Sequence, residues 1–256
     1  MKALSEKVFL KLDMPNSKDR KSDRDRILDK LKIKYKNVDM PYKITKDLYP
    51  KCRESNFEIT VTLVKRTYDW VVTRIEQGDK TDKNYGLCVD LGSTTVIMRL
   101  VDLNTGDIVV EEGCFNKQIS FGEDILNRIF YTRNSKEKLY EIHKATIYTF
   151  SELIDIITEK SKINSEDISV MTVAGNTNMI HFLLNIDPWT IFQMPYTPIF
   201  NHTGFISCDE IGIPIKGYLY CFPSVANYLG GDIVSGVLFT EIYKQKELSA
   251  FIDIGT

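Results

Sequence analysis

Several features that define common protein classes are missing from this chain of 256 residues. No apolar run reaches the roughly eighteen residues that a bilayer-spanning helix needs, and the N-terminal stretch MKALSEKVFLKLDMP has no apolar segment of the signal-peptide kind. The formal net charge of -2 lacks the basic excess that nucleic-acid-binding domains carry. These absences predict a cytoplasmic protein that binds neither membrane nor nucleic acid.

Cysteine is scarce and scattered. The sequence has five cysteines and contains no C-x-x-C pair. Zinc sites and iron–sulfur clusters require closely spaced cysteines, so the spacing argues against both. We expect reduced thiols that pack as small core residues.

The composition of the sequence changes near residue 84, which predicts a boundary between two modules. Residues 1–84 are rich in charge and predict a small α+β linker module. KVFLKLDMP and the alternating stretch NFEITVTLV predict strands, with DWVVTRIE as a hairpin partner of the second. SDRDRILDKLK predicts a helix that Ser22 caps and that presents Ile27, Leu28 and Leu31 to a core. QGDKTDKN has the polar composition of a linker.

The pattern changes at Tyr85. Three apolar stretches between residues 85 and 115 predict antiparallel strands, and a long helical stretch is expected from Gly122 to about Lys162. A buried strand (ISVMTVAGN), a short helix, a proline-rich loop, a strand (YLYCFPSV) and a helix (GDIVSGVLFTEIYK) follow. This order predicts an α/β, ribonuclease-H-like half-domain over residues 85–248, with AFIDIGT opening the first strand of a second half at residues 249–256.

A short motif occurs twice, each time at the end of an apolar strand. Asp90-Leu91-Gly92-Ser93 is followed by Thr94 and Thr95, and Asp253-Ile254-Gly255-Thr256 repeats the pattern. Glycine in such a turn exposes backbone N–H groups to a phosphate, and the hydroxyl groups add hydrogen bonds. An aspartate at the strand end can hold Mg²⁺ through water, so Asp90 and Asp253 are the candidate metal and catalytic residues. Two such hairpins facing each other predict a site for the phosphates of a nucleotide.

The repeated motif resembles the phosphate motifs of the actin, sugar kinase and heat-shock chaperone ATPase superfamily. Within it the chain is similar to the reductive activators of corrinoid proteins, on the stretches NKQISFGEDILNRI, AGNTNMIHFLLNIDPW, MPYTPIF and PSVANYLGGDIVSG, and on LDMPNSKDRKSDRDRILDKL in the linker module. The resemblance implies ATP and Mg²⁺ as cofactors and a corrinoid protein as partner. It implies ATP-dependent reduction of inactive Co(II) corrinoid to Co(I) for methyl transfer.

Two features depart from that family pattern. Such activators begin with a [2Fe–2S] ferredoxin domain, and this sequence has no cysteine cluster of that kind, so we expect no iron–sulfur cluster here and a separate or missing ferredoxin domain. The adenosine-binding half is also absent. We therefore expect a fragment, a truncated reading frame or a split form, with weak or no ATPase activity by itself. The sequence leaves open whether the chain forms a homodimer.

Two further junctions contribute candidate residues to the nucleotide site. Gly175, Asn176 and Thr177 lie where a strand meets a helix, and the choice there is between a phosphate contact and an ordinary helix N-cap. Gly230, Gly231 and Asp232 open the last helix; Asp232 either caps that helix or acts as a catalytic group that positions water or Mg²⁺.

Other polar residues have structural alternatives as well. Arg128 is expected near the nucleotide cleft or the partner surface, or in a helical pair with Asp124. His181, among apolar neighbours, is expected to be a core residue.

Other functions remain open from the sequence. The same superfamily includes dehydratase-reactivating ATPases and small-molecule kinases, although no substrate carboxylate of a kinase can be placed. A third alternative is a non-catalytic module that binds a partner.

Overall fold

The computed structural model describes residues 3–227 and 229–253. The first module contains a four-stranded sheet in the order β1-β3-β4-β2, made of β1 (Ser5–Lys11), β2 (Val38–Asp39), β3 (Glu58–Lys65) and β4 (Trp70–Gln77). Three helices accompany the sheet: α1 (Asp23–Lys32), α2 (Tyr42–Thr45) and α3 (Leu48–Glu54). The expected hairpin of β3 and β4 is present as an antiparallel pair.

Helix α1 forms as its sequence predicts. The Ser22 side chain accepts a hydrogen bond from the backbone N–H of Asp25, and Ile27, Leu28 and Leu31 are buried. Arg26 on the same helix is also buried, and its guanidinium donates a hydrogen bond to Asp19.

Strand β3 differs from its expectation. The alternation predicted one buried face, yet Thr60, Thr62 and Val64 on the other face are also buried. The reason is a second sheet behind it: Val64 and Val71 pack against Val170 of that sheet. The face of β3 that was predicted to be buried packs in the core beneath the helices.

The second sheet has six strands in the order β7-β6-β5-β8-β10-β9. Its strands are β5 (Tyr85–Leu91), β6 (Thr95–Asp102), β7 (Ile108–Phe115), β8 (Ile168–Gly175), β9 (Phe205–Ser207) and β10 (Tyr218–Cys221). β5, β6 and β7 are antiparallel, whereas β8 is parallel to both β5 and β10. This confirms the predicted α/β class with a ribonuclease-H-like half; the short strand β9, antiparallel to β10, was missed.

Six helices belong to the second module: α4 (Ile125–Thr132), α5 (Lys136–Ser161), α6 (Thr177–Leu183), α7 (Trp189–Phe192), α8 (Cys208–Ile211) and α9 (Gly231–Thr240). The prediction of one helical stretch from Gly122 to Lys162 was wrong. Asn134 has a φ of 59°, which interrupts the helix, and Ser135 caps α5 anew by accepting from the N–H of Lys138. No helix in the described part of the chain is long and apolar enough to cross a membrane.

The strand expected from AFIDIGT is not formed by Phe251 or its two successors. The Phe251 ring lies instead against α9, so close that a Cβ added to Gly236 would be 2.4 Å from its Cζ atom. Ile254, Gly255 and Thr256 lie outside the described residues.

Buried polar contacts join the two modules. Asn84, at the end of the stretch expected to be a linker, is buried and hydrogen-bonds through its side chain to Ser5 and Ser169. Beside it, Asp167 of the second module lies 3.2 Å from Lys7 Nζ and 3.0 Å from Arg74 Nη2, and Glu76 completes this ion network. The Lys7 side chain is 0% exposed, so its charge depends on these carboxylates.

We expect Asp167→Asn to lower the free energy of unfolding by about 2–3 kcal/mol, because it leaves two desolvated cations with one carboxylate. Urea denaturation measures this. The matched control is Asp209→Asn, which removes an exposed pair with Lys43 that also connects the modules, and should cost less than about 1 kcal/mol. Equal losses for the two variants would contradict the argument.

Candidate functional site

The parallel pairing of β5, β8 and β10 brings the carboxyl ends of these strands to one edge of the sheet. Ligand sites of α/β proteins form at such edges, where the loops after the strands meet. Here the edge holds the hairpin between β5 and β6, the β8–α6 turn and the loop that enters α9. These are the segments that carry the predicted site residues.

Glycines allow the three segments to approach one another through their backbones. A Cβ on Gly175 would be 2.9 Å from the carbonyl oxygen of Leu91, and a Cβ on Gly230 would be 2.4 Å from the Cα of Asn176. A Cβ on Gly231 would meet the carbonyl oxygen of Phe222 at 2.7 Å. Any side chain at these positions would force the loops apart.

The β5–β6 hairpin is tight. Residues 92–94 connect the strands, and a Cβ on Gly92 would be 2.6 Å from the carbonyl oxygen of Thr95. Ser93 and Thr94 are half-buried and Thr95 is exposed, so the hairpin is accessible to a ligand.

A residue that sequence reasoning missed holds this hairpin in place. Asn116, completely buried after β7, donates from Nδ2 to the carbonyl oxygen of Gly92 at 2.8 Å and from its backbone N–H to that of Thr94 at 2.8 Å. Its Oδ1 accepts from the N–H of Gln118. Its position directly after an apolar strand was the available signal, but its partners are distant in sequence.

Arg128 stabilises Asn116 indirectly, through Gln118. Its Nη1 donates to Gln118 Oε1 at 3.3 Å and its Nε to the carbonyl oxygen of Gly122 at 2.9 Å. The expected pair with Asp124 is not formed: Asp124 caps α4 through Asn127, and Arg128 is completely buried. Burial lowers the pKa of the Arg128 guanidinium.

Asn176 and Thr177 use their side chains structurally. Asn176 Oδ1 caps α6 by accepting from the N–H of Met179, and the Thr177 hydroxyl donates to the carbonyl oxygen of Ala226. At this turn only backbone groups are therefore left as candidates for a phosphate contact. His181 is completely buried and stacks on Phe200, a core position.

Asp90, Asp232 and Asp253 lie close enough for their negative charges to act on one another. Partial burial, and then the negative charges of Asp232 and Asp253, raise the pKa of Asp90 above its usual range. Burial and the charge of Asp253 likewise raise the pKa of Asp232, whose Oδ1 accepts from the N–H of Ile233 and does not cap α9 at Gly230. The structure thus brings together Asp90, Asp232 and Asp253; Gly255 and Thr256, also predicted for the site, lie outside the described residues.

A metal ion at these carboxylates would have to keep part of its water shell. Within residues 3–227 and 229–253 no three His, Cys, Asp or Glu side chains are placed so that they could hold a metal ion together. Mg²⁺ suits such an arrangement, because it gives up its waters reluctantly and is often bound by one or two carboxylates plus phosphate oxygens.

We expect Asp90→Asn to raise the melting temperature at pH 7 by about 1–2 °C, on the order of 0.5 kcal/mol for this exposed carboxylate. A carboxyl whose folded pKa is raised destabilises the native state once the pH exceeds its ordinary pKa, and the amide removes that penalty. The gain should vanish at a pH of about 3, where the carboxyl is protonated in both states. Calorimetric scans at both pH values measure this; an equal gain at both would contradict the charge argument.

We expect Asn116→Ala to lower the free energy of unfolding by about 2 kcal/mol, because the carbonyl of Gly92 and the N–H of Gln118 lose a buried partner. Amide hydrogen exchange at residues 92–95 should also accelerate. Asn104→Ala is the control: Asn104 is exposed, donates from Nδ2 to the carbonyl of Thr81, and should cost about 0.5 kcal/mol or less. Unchanged hairpin exchange in Asn116→Ala would refute the role.

Comparison with known proteins agrees with the geometry. Residues 1–82 match the RACo linker region and residues 85–245 the RACo middle region. The corrinoid activation enzyme RamQ of Eubacterium limosum is 28% identical over 188 residues, which cover 73% of this chain and 31% of RamQ. A solved reductive activator for corrinoid,iron-sulfur protein superposes with a TM-score of 0.88 at 34% identity over 96% of this chain and 40% of its own. The chain spans under half the length of these relatives, and it belongs to the RACo family of reductive activators of corrinoid-dependent proteins.

Proposed function

We propose that this chain supplies the linker module and one wall of the nucleotide site of an ATP-dependent reductive activator of a corrinoid protein. The observation that carries the proposal is the convergence of the residue 92–95 hairpin with Asp90, Asp232 and Asp253 at one sheet edge. The family and the activities named for its relatives indicate the reaction. We propose the division into residues 1–84, 85–248 and 249–256 on the same basis.

In this proposal the hairpin binds phosphate and the carboxylates bind the metal. Backbone N–H groups after Gly92, with the hydroxyl groups of Ser93, Thr94 and Thr95, face the phosphate oxygens. Asp90 and Asp253 would hold Mg²⁺ through its waters, and Asp232 would orient the attacking water. Mg·ATP when bound would supply the free energy of hydrolysis.

The raised pKa values of Asp90 and Asp232 fit a cation in this place. Three carboxylates that repel each other are relieved by a divalent ion, whose charge is the largest local term in such a site. Mg²⁺ binding should therefore strengthen as the pH rises through the raised pKa values, because the ion competes with protons.

The reaction transfers one electron to the corrinoid. Co(II) accepts an electron from a donor outside this chain, such as a [2Fe–2S] ferredoxin domain, and becomes Co(I). Nucleotide binding selects the arrangement in which the corrinoid protein is held ready for reduction. This chain contributes the binding surfaces, not the electron.

A chimera tests the proposal. Residues 1–253 replace the matching segment of the solved reductive activator, and reduction of Co(II) corrinoid protein by titanium(III) citrate is followed by absorbance with and without Mg·ATP. We expect ATP-dependent Co(I) formation, and a loss of about 100-fold on Asp90→Asn, as when one transition-state contact is removed. Asp155→Asn, which changes an exposed carboxylate on α5, should retain the rate.

Two results would contradict the proposal. One is a folded chimera, by near-ultraviolet circular dichroism, that reduces Co(II) equally fast with and without ATP. The other is an Asp90→Asn variant that keeps the parent rate. Binding of the corrinoid protein without any effect of ATP would favour a non-catalytic partner-binding module.

A further inference from the structure

A second cleft lies between the two modules, far from the nucleotide site. Its volume is about 670 Å³, and its walls include β4, the α2–α3 segment and the residues that precede β8 and begin β10. β8 runs from Ile168 at this end to Gly175 at the nucleotide edge, which at a rise of about 3.3 Å per residue separates the two sites by roughly 23 Å. A ligand in this cleft would not compete with nucleotide.

The floor of the cleft is the outer edge of strand β4. β4 pairs with β3 along its length, but β2 covers only its first two residues, Trp70 and Val71. The covering strand ends there because Pro41 follows, and proline has no N–H for a ladder. Residues 72–77 all line the cleft, and among the described residues their outward backbone groups have no hydrogen-bond partner.

An open strand edge of this kind accepts another strand. Proteins usually prevent strand addition at such edges with charged side chains, or they cover the edge. Here Arg74 and Glu76 are turned towards the second module, in the ion network with Lys7 and Asp167, so they do not block the edge. An extended peptide beside β4 would take the place that β2 leaves after Asp39, and its main chain would supply the missing hydrogen bonds.

The charges of the cleft indicate what kind of peptide fits. Lys43 and Lys216 are neutralised by Asp209 and Glu166. Lys51 and Lys80, in contrast, form no ion pair within the described residues, and one carboxylate of the lining, Asp47, is likewise unpaired. The excess of unpaired cations favours acidic side chains on the bound segment.

We propose that this cleft binds an extended acidic segment of the corrinoid protein, which adds to the outer edge of β4 as a further strand. The inference rests on the proposed function for the identity of the partner and on the free edge for the mode of binding. Affinity comes from main-chain hydrogen bonds with residues 72–77, and the preference for acidic sequence comes from Lys51 and Lys80. Nucleotide and partner can occupy the chain together.

The test uses the corrinoid protein that the chimera activates, and this chain with charge reversals. The variant Lys51→Glu/Lys80→Glu should bind that protein about tenfold more weakly, which is the effect of two rim charges. Lys18→Glu/Lys36→Glu is the matched control, since both lysines are exposed, unpaired and in the same module but outside the cleft. The control should bind as the parent does. In the parent complex, amide exchange at residues 72–77 should slow at least tenfold.

Overlapping ten-residue peptides of the corrinoid protein then identify the segment. N-methylation of alternate residues on the edge that faces β4 should abolish binding of the peptide, whereas N-methylation of the other alternate set should not. Binding of the corrinoid protein that leaves residues 72–77 unprotected, or is equally weakened by both lysine pairs, overturns the inference and leaves the proposed function intact. A corrinoid protein that neither binds nor is activated refutes the proposed function first, and this inference with it.

Discussion

The close backbone packing at the carboxyl ends of β5, β8 and β10 is the constraint on which the rest of the structure depends. Gly175 lies against the carbonyl of Leu91, and Gly230 lies against Asn176, at distances that leave no room for a Cβ. The three loops can therefore lie side by side, and each brings one element of the site: Asp90 with its hairpin, the turn into α6, and Asp232. These glycines are required because a side chain would not fit between the loops. Their presence can therefore be explained without a phosphate contact.

This convergence has an energetic consequence. Burial first, and then the nearby negative charges, raise the pKa values of Asp90 and Asp232, which means that both ionised carboxylates destabilise the native state at neutral pH. The buried layer beneath offsets that destabilisation locally, because Asn116 fixes the hairpin and Arg128 fixes Gln118 beside it. Groups that destabilise the native state are typical of functional sites.

The sequence allowed prediction of those features that depend on local pattern. Alternation and apolar runs predicted the strands other than the short β2 and β9, and the order of strands and helices predicted the sheet of β5 to β8 and β10. The repeated motif predicted Asp90 and its hairpin. Asn116, Arg128 and the ion network of Lys7 with Asp167 could not be predicted, because each depends on partners brought close only by the fold. The break at Asn134 was missed because asparagine is tolerated in a helix as well as at positive φ.

The polar joint between the modules limits how the linker module can move against the second sheet. Ser5, Asn84 and Ser169 are hydrogen-bonded to one another in the interior, and the desolvated cations of Lys7 and Arg74 lose one of their two carboxylate partners if Asp167 moves away. Rotation of the linker module against β8 would break all of these contacts at once. The loop that enters α9, in contrast, touches the β8–α6 turn at Gly230 without a side chain of its own, and Leu238 and Phe239 on α9 are exposed. Movement of α9 relative to β8 would break the hydrogen bond from Thr177 to Ala226 and disturb the close backbone contact at Gly230, but it would leave these ion pairs intact. The linker module and β8 therefore hold the β4 edge at a fixed distance from the β5–β6 hairpin.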